Sequence, residues 1–151
     1  MSLTKRQLEA RKSMITGSDA GTILGVNPYG SKYRTWAIKV GEYVDDFQGN
    51  NKTDLGTWLE RFAVWKYEQT TGSTCRRVLR TLYHKRYKFM GGHIDRLIVG
   101  DKNRGLECKV VTPDGMAKWL DEDGEIQVPL YYRAQTLHYA VITGRRIWDF
   151  S

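Results

Sequence analysis

Asp95, Glu107 and Lys109 are the residues whose types and spacing can do chemistry. They interrupt two runs otherwise rich in Ile, Val and Leu, His93-Ile94-Asp95-Arg96-Leu97-Ile98-Val99 and Leu106-Glu107-Cys108-Lys109-Val110-Val111. Between the runs lies the polar segment Gly100-Asp101-Lys102-Asn103-Arg104-Gly105, so together they read as a β-hairpin. Side chains two apart in a strand share a face. Glu107 and Lys109 therefore project together, Cys108 points the other way, and Asp95 reaches the first face if the hairpin pairs around its turn. Two carboxylates on an apolar sheet are costly to bury without a cation or substrate to compensate them. Hard cations such as Mg²⁺ (or Mn²⁺) take oxygen ligands, so Asp95, Glu107 and the backbone carbonyl of Cys108 form a candidate metal site that phosphate oxygens would complete. Lys109 can orient or help deprotonate an attacking water and offset charge in a phosphoryl transition state. The plainer alternative, a surface salt bridge, is worth little and leaves the apolar setting without a reason.

The elements that must position these residues follow from periodicity and punctuation. Thr4 to Met14 reads as a helix capped by Thr4 with Leu8 facing inward, and Ser18 as the cap of a short helix ended by Gly25. The N-terminus of that short helix can hold a phosphate or be an ordinary capped end. A helix from Ser31 or Lys32 to Val40 carries Tyr33, Trp36, Ala37 and Val40 at helical spacing and stops at Gly41. The stretch Glu42 to Lys52 is a polar loop. The longest helix is expected at Leu55 to Thr71, capped by Thr53 or Asp54, with Leu55, Leu59, Phe62, Ala63 and Tyr67 on the core and Glu60 one step beside that stripe. Ser73 to Tyr83 reads as one strand, followed by a basic loop, His84-Lys85-Arg86-Tyr87-Lys88-Phe89. That mixture suits phosphate contact with base or sugar packing, and equally a solvated loop with its aromatics tucked inward. A helix after Thr112 has Pro113 at its first position, and Asp121 to Gln127 is an acidic loop. The last helix, Pro129 to Thr143, is expected to bury Leu130, Ala134, Leu137 and Val141, with Arg133, Gln135 and His138 off the stripe. Ile147 to Phe150 begins a further strand.

At 151 residues the chain is expected to be a single domain, 1–151, with no repeat, linker or low-complexity segment. It carries 24 Lys and Arg against 17 Asp and Glu, a net +7 that favours a polyanionic partner. Cys75 and Cys108 are too few for a disulfide framework or a four-cysteine metal site and fit a reducing, cytoplasmic setting. No apolar run reaches membrane-spanning length. His84, His93 and His138 lack zinc-ligand spacing, Ser18 lacks a strand-turn elbow, and no Gly-rich nucleotide loop is present.

The ordered set Ile15-Thr16-Gly17-Ser18-Asp19, Gly56-x-x-x-Glu60, Gly91-Gly92-His93-Ile94-Asp95, Leu106-Glu107-Cys108-Lys109 and Ala134-Gln135 resembles the YqaJ-like viral recombinase family, which includes phage lambda exonuclease and belongs to the PD-(D/E)xK nucleases. The resemblance runs from about Arg11 to Phe150 and implies an α/β (α+β) restriction-endonuclease-like core, a mixed sheet flanked by helices. It implies that Asp95, Glu107 and Glu60 bind two metal ions, that Lys109 is the catalytic lysine with Gln135 also catalytic, and that Arg11, Ser18, His93 and Gln135 act at a terminal 5′ phosphate. His93 stands where the lambda enzyme has a serine, and Ile94 where the family has a proline. The implied activity is 5′-to-3′ digestion of duplex DNA from an end, alongside a single-strand annealing protein and in a ring-shaped trimer, inside a bacterial host. The family's C-terminal strand and helix are expected to be missing. Endonuclease or nicking action on the same core, or a non-catalytic DNA-binding remnant, are the alternatives.

Overall fold

Residues 4–44 and 51–151 are described by a computed structural model. The hairpin forms where its two apolar runs predict, with tighter limits. β4 is Arg96–Ile98 and β5 is Arg104–Glu107, paired antiparallel with Arg96 opposite Leu106. The second strand thus starts two residues earlier than Leu106 and ends at Glu107. Continued by one position, the register sets Asp95 opposite Glu107, so both carboxylates leave the same face.

Two strands flank this hairpin. β1 (Cys75–Arg77) pairs antiparallel with β4, and β6 (Ile147–Phe150) pairs parallel with β5, giving a four-stranded mixed sheet in the order β1-β4-β5-β6. The expected single strand from Ser73 to Tyr83 is broken. After β1, Val78 turns into the apolar cluster behind the sheet, and β2 (Leu82–Tyr83) pairs separately with β3 (Gly91–Gly92).

Strand alternation sends two sets of side chains to opposite faces. On one, Ile98 and Leu106 pack with Val64 and Tyr67 of α4 (Asn51–Thr71) and with Cys75 and Cys108. On the other, Leu97, joined by Ile94 from the segment before β4, packs with Tyr139 and Ile142 of α6 (Leu130–Thr143) and with Trp148. Cys108 therefore lies on the opposite face from Glu107, as the alternation predicts.

The remaining helices are α1 (Lys5–Lys12), α2 (Gly17–Ile23), α3 (Lys32–Val40) and the single turn α5 (Pro113–Met116), which runs on into a 3-10 turn at Ala117–Trp119. Thr4 caps α1 by accepting the Gln7 N–H, but Leu8 is 52% exposed instead of facing inward. The cap of α2 is Thr16, whose N–H and hydroxyl both donate to Asp19 Oδ2 at 2.8 Å, not Ser18. Ser18 sits inside the helix, which frees its hydroxyl. Of the expected loop at 42–52, residues 45–50 lie outside the described residues, and α4 begins at Asn51, four residues before Leu55.

Tyr67 in α4 and Ala134 in α6 are buried as expected, but both long helices are otherwise rotated from the expected orientation. In α4 the inward residues are Glu60, Val64 and Tyr67, while Leu55, Trp58, Phe62 and Trp65 are exposed. In α6, Gln135, His138 and Tyr139 are buried with Ala134, and Leu130, Leu137 and Val141 are exposed. The inward polar groups have partners: His138 Nε2 lies 2.9 Å from Gly91 O, for example. A paired polar group can occupy a core position at little cost, so polarity did not mark the outer face.

α2 packs on α6 at backbone distance because glycines face it. A Cβ at Gly21 would lie 2.8 Å from Tyr131 Cβ and 3.0 Å from its Cα. Backbone cannot yield as a side chain can, so Gly21→Ala is expected to destabilise the fold by about 1–3 kcal/mol, read as a lower urea midpoint with an unchanged slope.

Candidate active site

The end of the sheet where β4 begins and β5 finishes opens into a cavity of ≈ 230 Å³, lined by Gly56, Thr57, Glu60, Asp95, Glu107, Cys108, Lys109 and Val110. β4 and β5 bring the two carboxylates there, and the inward face of α4 brings Glu60. Past Glu107 the strand is held by the chain end: Ser151 N–H donates to Glu107 O and Lys109 N–H donates to Ser151 O. This keeps Lys109 extended, on the same side as Glu107.

Glu107 is the most enclosed acid of the site, 3% exposed. Its Oε1 accepts from Lys109 Nζ at 2.5 Å and from Gln135 Nε2 at 2.6 Å, and its Oε2 is buried with no hydrogen-bond partner among the described residues. Burial first, and then the charge of Asp95, push the Glu107 carboxyl up to about 8. Burial likewise raises Asp95, against the pull of the Cys108 N–H, which donates to Asp95 Oδ2 at 2.9 Å. Glu60 behaves differently. Burial acts to raise it, but neighbouring positive charge, Arg96 included, outweighs that and leaves its pKa below the ordinary value. Its Oε1 is 2.7 Å from Arg96 Nη1, which also donates to Asp95 O at 2.7 Å.

Gln135 joins the acids to α6. Its Oε1 accepts from Lys109 Nζ at 3.2 Å, and its Nε2 donates to Glu107 and to Tyr139 Oη at 2.9 Å. Tyr139 Oη in turn donates to His93 O at 3.1 Å. Lys109 Nζ lies 4.6 Å above the Tyr132 ring. These aromatics were not singled out from the sequence, although Tyr132, Gln135 and Tyr139 fall at i, i+3 and i+7 on one helix face, the spacing that could have found them. Arg96 was likewise missed, masked by its place in an apolar run.

Arg11, Ser18 and His93 form an adjoining group. Arg11 Nη2 donates to Ser18 Oγ at 2.6 Å, and Ser18 Oγ is 3.0 Å from Thr16 Oγ1. His93 Nε2 is 2.9 Å from Thr81 Oγ1, and its Nδ1 is buried without a partner. Burial and then the charge of Arg11 lower the His93 pKa, which keeps the ring neutral. A Cβ at Gly17 would lie 3.0 Å from Gln135 Cγ, so the start of α2 abuts the residue that donates to Glu107. All nine residues picked from the sequence thus fall into two contiguous groups.

The carboxylates do not converge as a ready-made cation cage. Among the described residues no three His, Cys, Asp or Glu side chains gather closely enough for that, with Glu60 turned to Arg96 and Asp95 to the Cys108 N–H. A divalent cation nevertheless fits the donor set of Asp95 and Glu107, because it would meet the unpartnered Oε2 and neutralise two crowded acids.

Residues 7–146 match the sequence model of the YqaJ-like viral recombinase domain. Protein YqaJ of Bacillus subtilis (strain 168) is 33% identical over 144 residues, covering 95% of this chain and 43% of that protein, so the chain spans less than half the relative's length. LHK-Exo in complex with dAMP superposes with a TM-score of 0.74 at 20% identity, over 97% of this chain and 72% of that one. The alkaline exonuclease LHK-Exo from Laribacter hongkongensis gives 0.71 at 17%, over 97% and 74%. A phage related exonuclease from Haemophilus somnus 129PT gives 0.60 at 18%, over 91% and 67%. The fold is the restriction-endonuclease-like α+β core that the sequence motifs imply.

The raised Glu107 carboxyl makes stability pH-dependent. In the folded chain it keeps its proton up to about pH 8, whereas an unfolded glutamate loses it near pH ~4.3. The folded state binds the extra proton, so stability falls as pH rises through that window and levels off above it. Glu107→Gln removes the loss: in chelator its unfolding free energy should exceed that of the parent by roughly 1–3 kcal/mol at pH 8. The difference should shrink toward pH 5, followed by urea denaturation.

Proposed function

The chain belongs to the YqaJ-like viral recombinase family, and from that premise we propose that it is a metal-dependent exonuclease that hydrolyses phosphodiester bonds from the ends of duplex DNA. One observation carries the reading: a buried Glu107 beside a half-buried Asp95, both lining one cavity, with one Glu107 oxygen held by Lys109 and Gln135 and the other without a hydrogen-bond partner among the described residues. In this reading Asp95, Glu107 and the Cys108 carbonyl hold one Mg²⁺ (or Mn²⁺), and Glu60, released from Arg96, helps hold a second. The bound cation supplies Lewis-acid polarisation of the scissile phosphate and a more acidic water.

The chain's own groups do the rest. Lys109, fixed between Glu107 and Gln135, is within hydrogen-bonding reach of a water positioned over the carboxylates and can orient it for attack. Its charge offsets the negative charge that develops on the phosphoryl oxygens. Gln135 keeps Glu107 pointed into the cavity while the second Glu107 oxygen stays open. Arg11, Ser18 and the neutral His93 offer donors for a terminal 5′ phosphate beside the site, the arrangement that favours 5′-to-3′ digestion. A bacterial cytoplasm, an annealing partner for the exposed 3′ strand and a homo-oligomer such as a trimer complete the proposal.

End-labelled duplex DNA with Mg²⁺ should be digested from its ends and covalently closed circular duplex spared. Lys109→Ala should slow digestion about 100-fold or more. No digestion, or equal digestion by the variant, contradicts the reading, and cutting of the closed circle would make the enzyme an endonuclease.

A further inference from the structure

Almost all of the net charge arises in one stretch. Between Glu68 and Asp95 there is no Asp or Glu, and six Lys and Arg residues there account for +6 of the +7. Three of them, Lys85, Arg86 and Lys88, are exposed on the loop at 84–89 that joins β2 to β3. Among the described residues no carboxylate forms an ion pair with any of the three.

The loop is braced to hold these like charges. His84 Nδ1 accepts the N–H groups of Arg86 and Tyr87 at 3.2 and 2.9 Å, and His84 N–H donates to Met90 O at 2.9 Å. The His84 ring stacks on Tyr87 at 5.1 Å and 17°, the Arg86 guanidinium lies 5.2 Å over that ring, and Phe89 is tilted against it at 6.0 Å. Its base is tied to the phosphate group of residues: Ile15 N–H donates to Phe89 O at 2.7 Å and Gly91 N–H to Ile15 O at 3.0 Å. Ile15 lies between Arg11 and Ser18, and Gly91-Gly92 leads directly into His93.

Three close, unpaired cations repel one another, and a polyanion relieves that repulsion. The Tyr87 ring is already engaged by His84 and Arg86, so the loop presents cations and not an open platform for a base. We infer that the loop at 84–89 is a second DNA-contact surface, one that grips the phosphate backbone of the duplex without regard to sequence. This inference rests on the proposed nuclease reading.

The test is fluorescence anisotropy with a labelled, 5′-phosphorylated duplex in chelator, which prevents cutting, between 50 and 200 mM salt as an ordinary working range. A Lys85→Gln, Lys88→Gln double variant is compared with a Lys102→Gln, Arg146→Gln variant that loses the same charge at the turn of the β4–β5 hairpin and at the residue before β6 bonded to that turn. The loop variant should bind about tenfold more weakly and flatten the log–log salt slope by about 1.8, alike on two unrelated sequences, while the matched variant keeps the parent slope. Arg86→Ala alone should flatten it by about 0.9 and serves if the double variant does not fold. If the parent binds and digests duplex but both double variants lose slope equally, or the loop variant loses none, the loop assignment falls and the nuclease reading stands. A loss confined to single-stranded DNA also overturns it. Failure of the parent to bind duplex overturns both.

Discussion

Everything at the site depends on the cost of holding a buried carboxylate, Glu107, beside a half-buried one, Asp95. Asp95 and Glu107 are opposed across one position of an antiparallel pair, at the end of a sheet whose neighbouring residues are Ile94, Leu106 and Ile98. Left alone they would repel in a medium that screens poorly. The fold answers with donors from other elements: the Cys108 N–H to Asp95, and Lys109 and Gln135 to Glu107. Glu107 Oε2 has no donor of its own among the described residues, which in the proposed reading suits it to a cation.

This constraint explains the arrangement of the helices. α6 must turn Gln135 and Tyr139 toward the sheet, because Gln135 bonds Glu107 and Tyr139 bonds both Gln135 and the backbone at His93. α4 must turn Glu60 inward, where Arg96 meets it. Helix α2 can then lie on α6 only because Gly17 and Gly21 spare the room that Tyr139 and Tyr131 occupy. The same close approach sets Gly17, next to Ser18, against Gln135 and Tyr139.

How much of this was legible depended on which physical rule spoke. The hairpin was legible, since charge in an apolar run between turn residues has few other readings, and its register follows from alternation. The cap at Thr4, the start of α3 at Ser31 or Lys32 and its stop at Gly41 were also legible, because these are local chemistry. The inner faces of α4 and α6 were not. The apolar-inside rule fails where inward polar groups are paired, and Leu137, Val141, Phe62 and Trp65 lie outside as a result. The break at 78–81 was illegible for a related reason, because alternation in sequence does not say which partner strand each half will find. Among the site residues, Glu60 and Gln135 acquired weight from the family motifs and not from their own spacing, whereas Asp95, Glu107 and Lys109 declared themselves.

The central claim, that the Asp95–Glu107 pair is a cation site held partly protonated until a cation arrives, is tested most directly by titrating Mn²⁺ calorimetrically at pH 7 in buffers of different ionisation enthalpy. The Glu107 carboxyl is pushed up to about 8 and must lose its proton to become a ligand. Binding should therefore release close to one proton, seen as heat that varies with the buffer, and Asp95→Asn should weaken it at least about tenfold. Absence of binding by the parent chain, or binding with buffer-independent heat, would contradict the account.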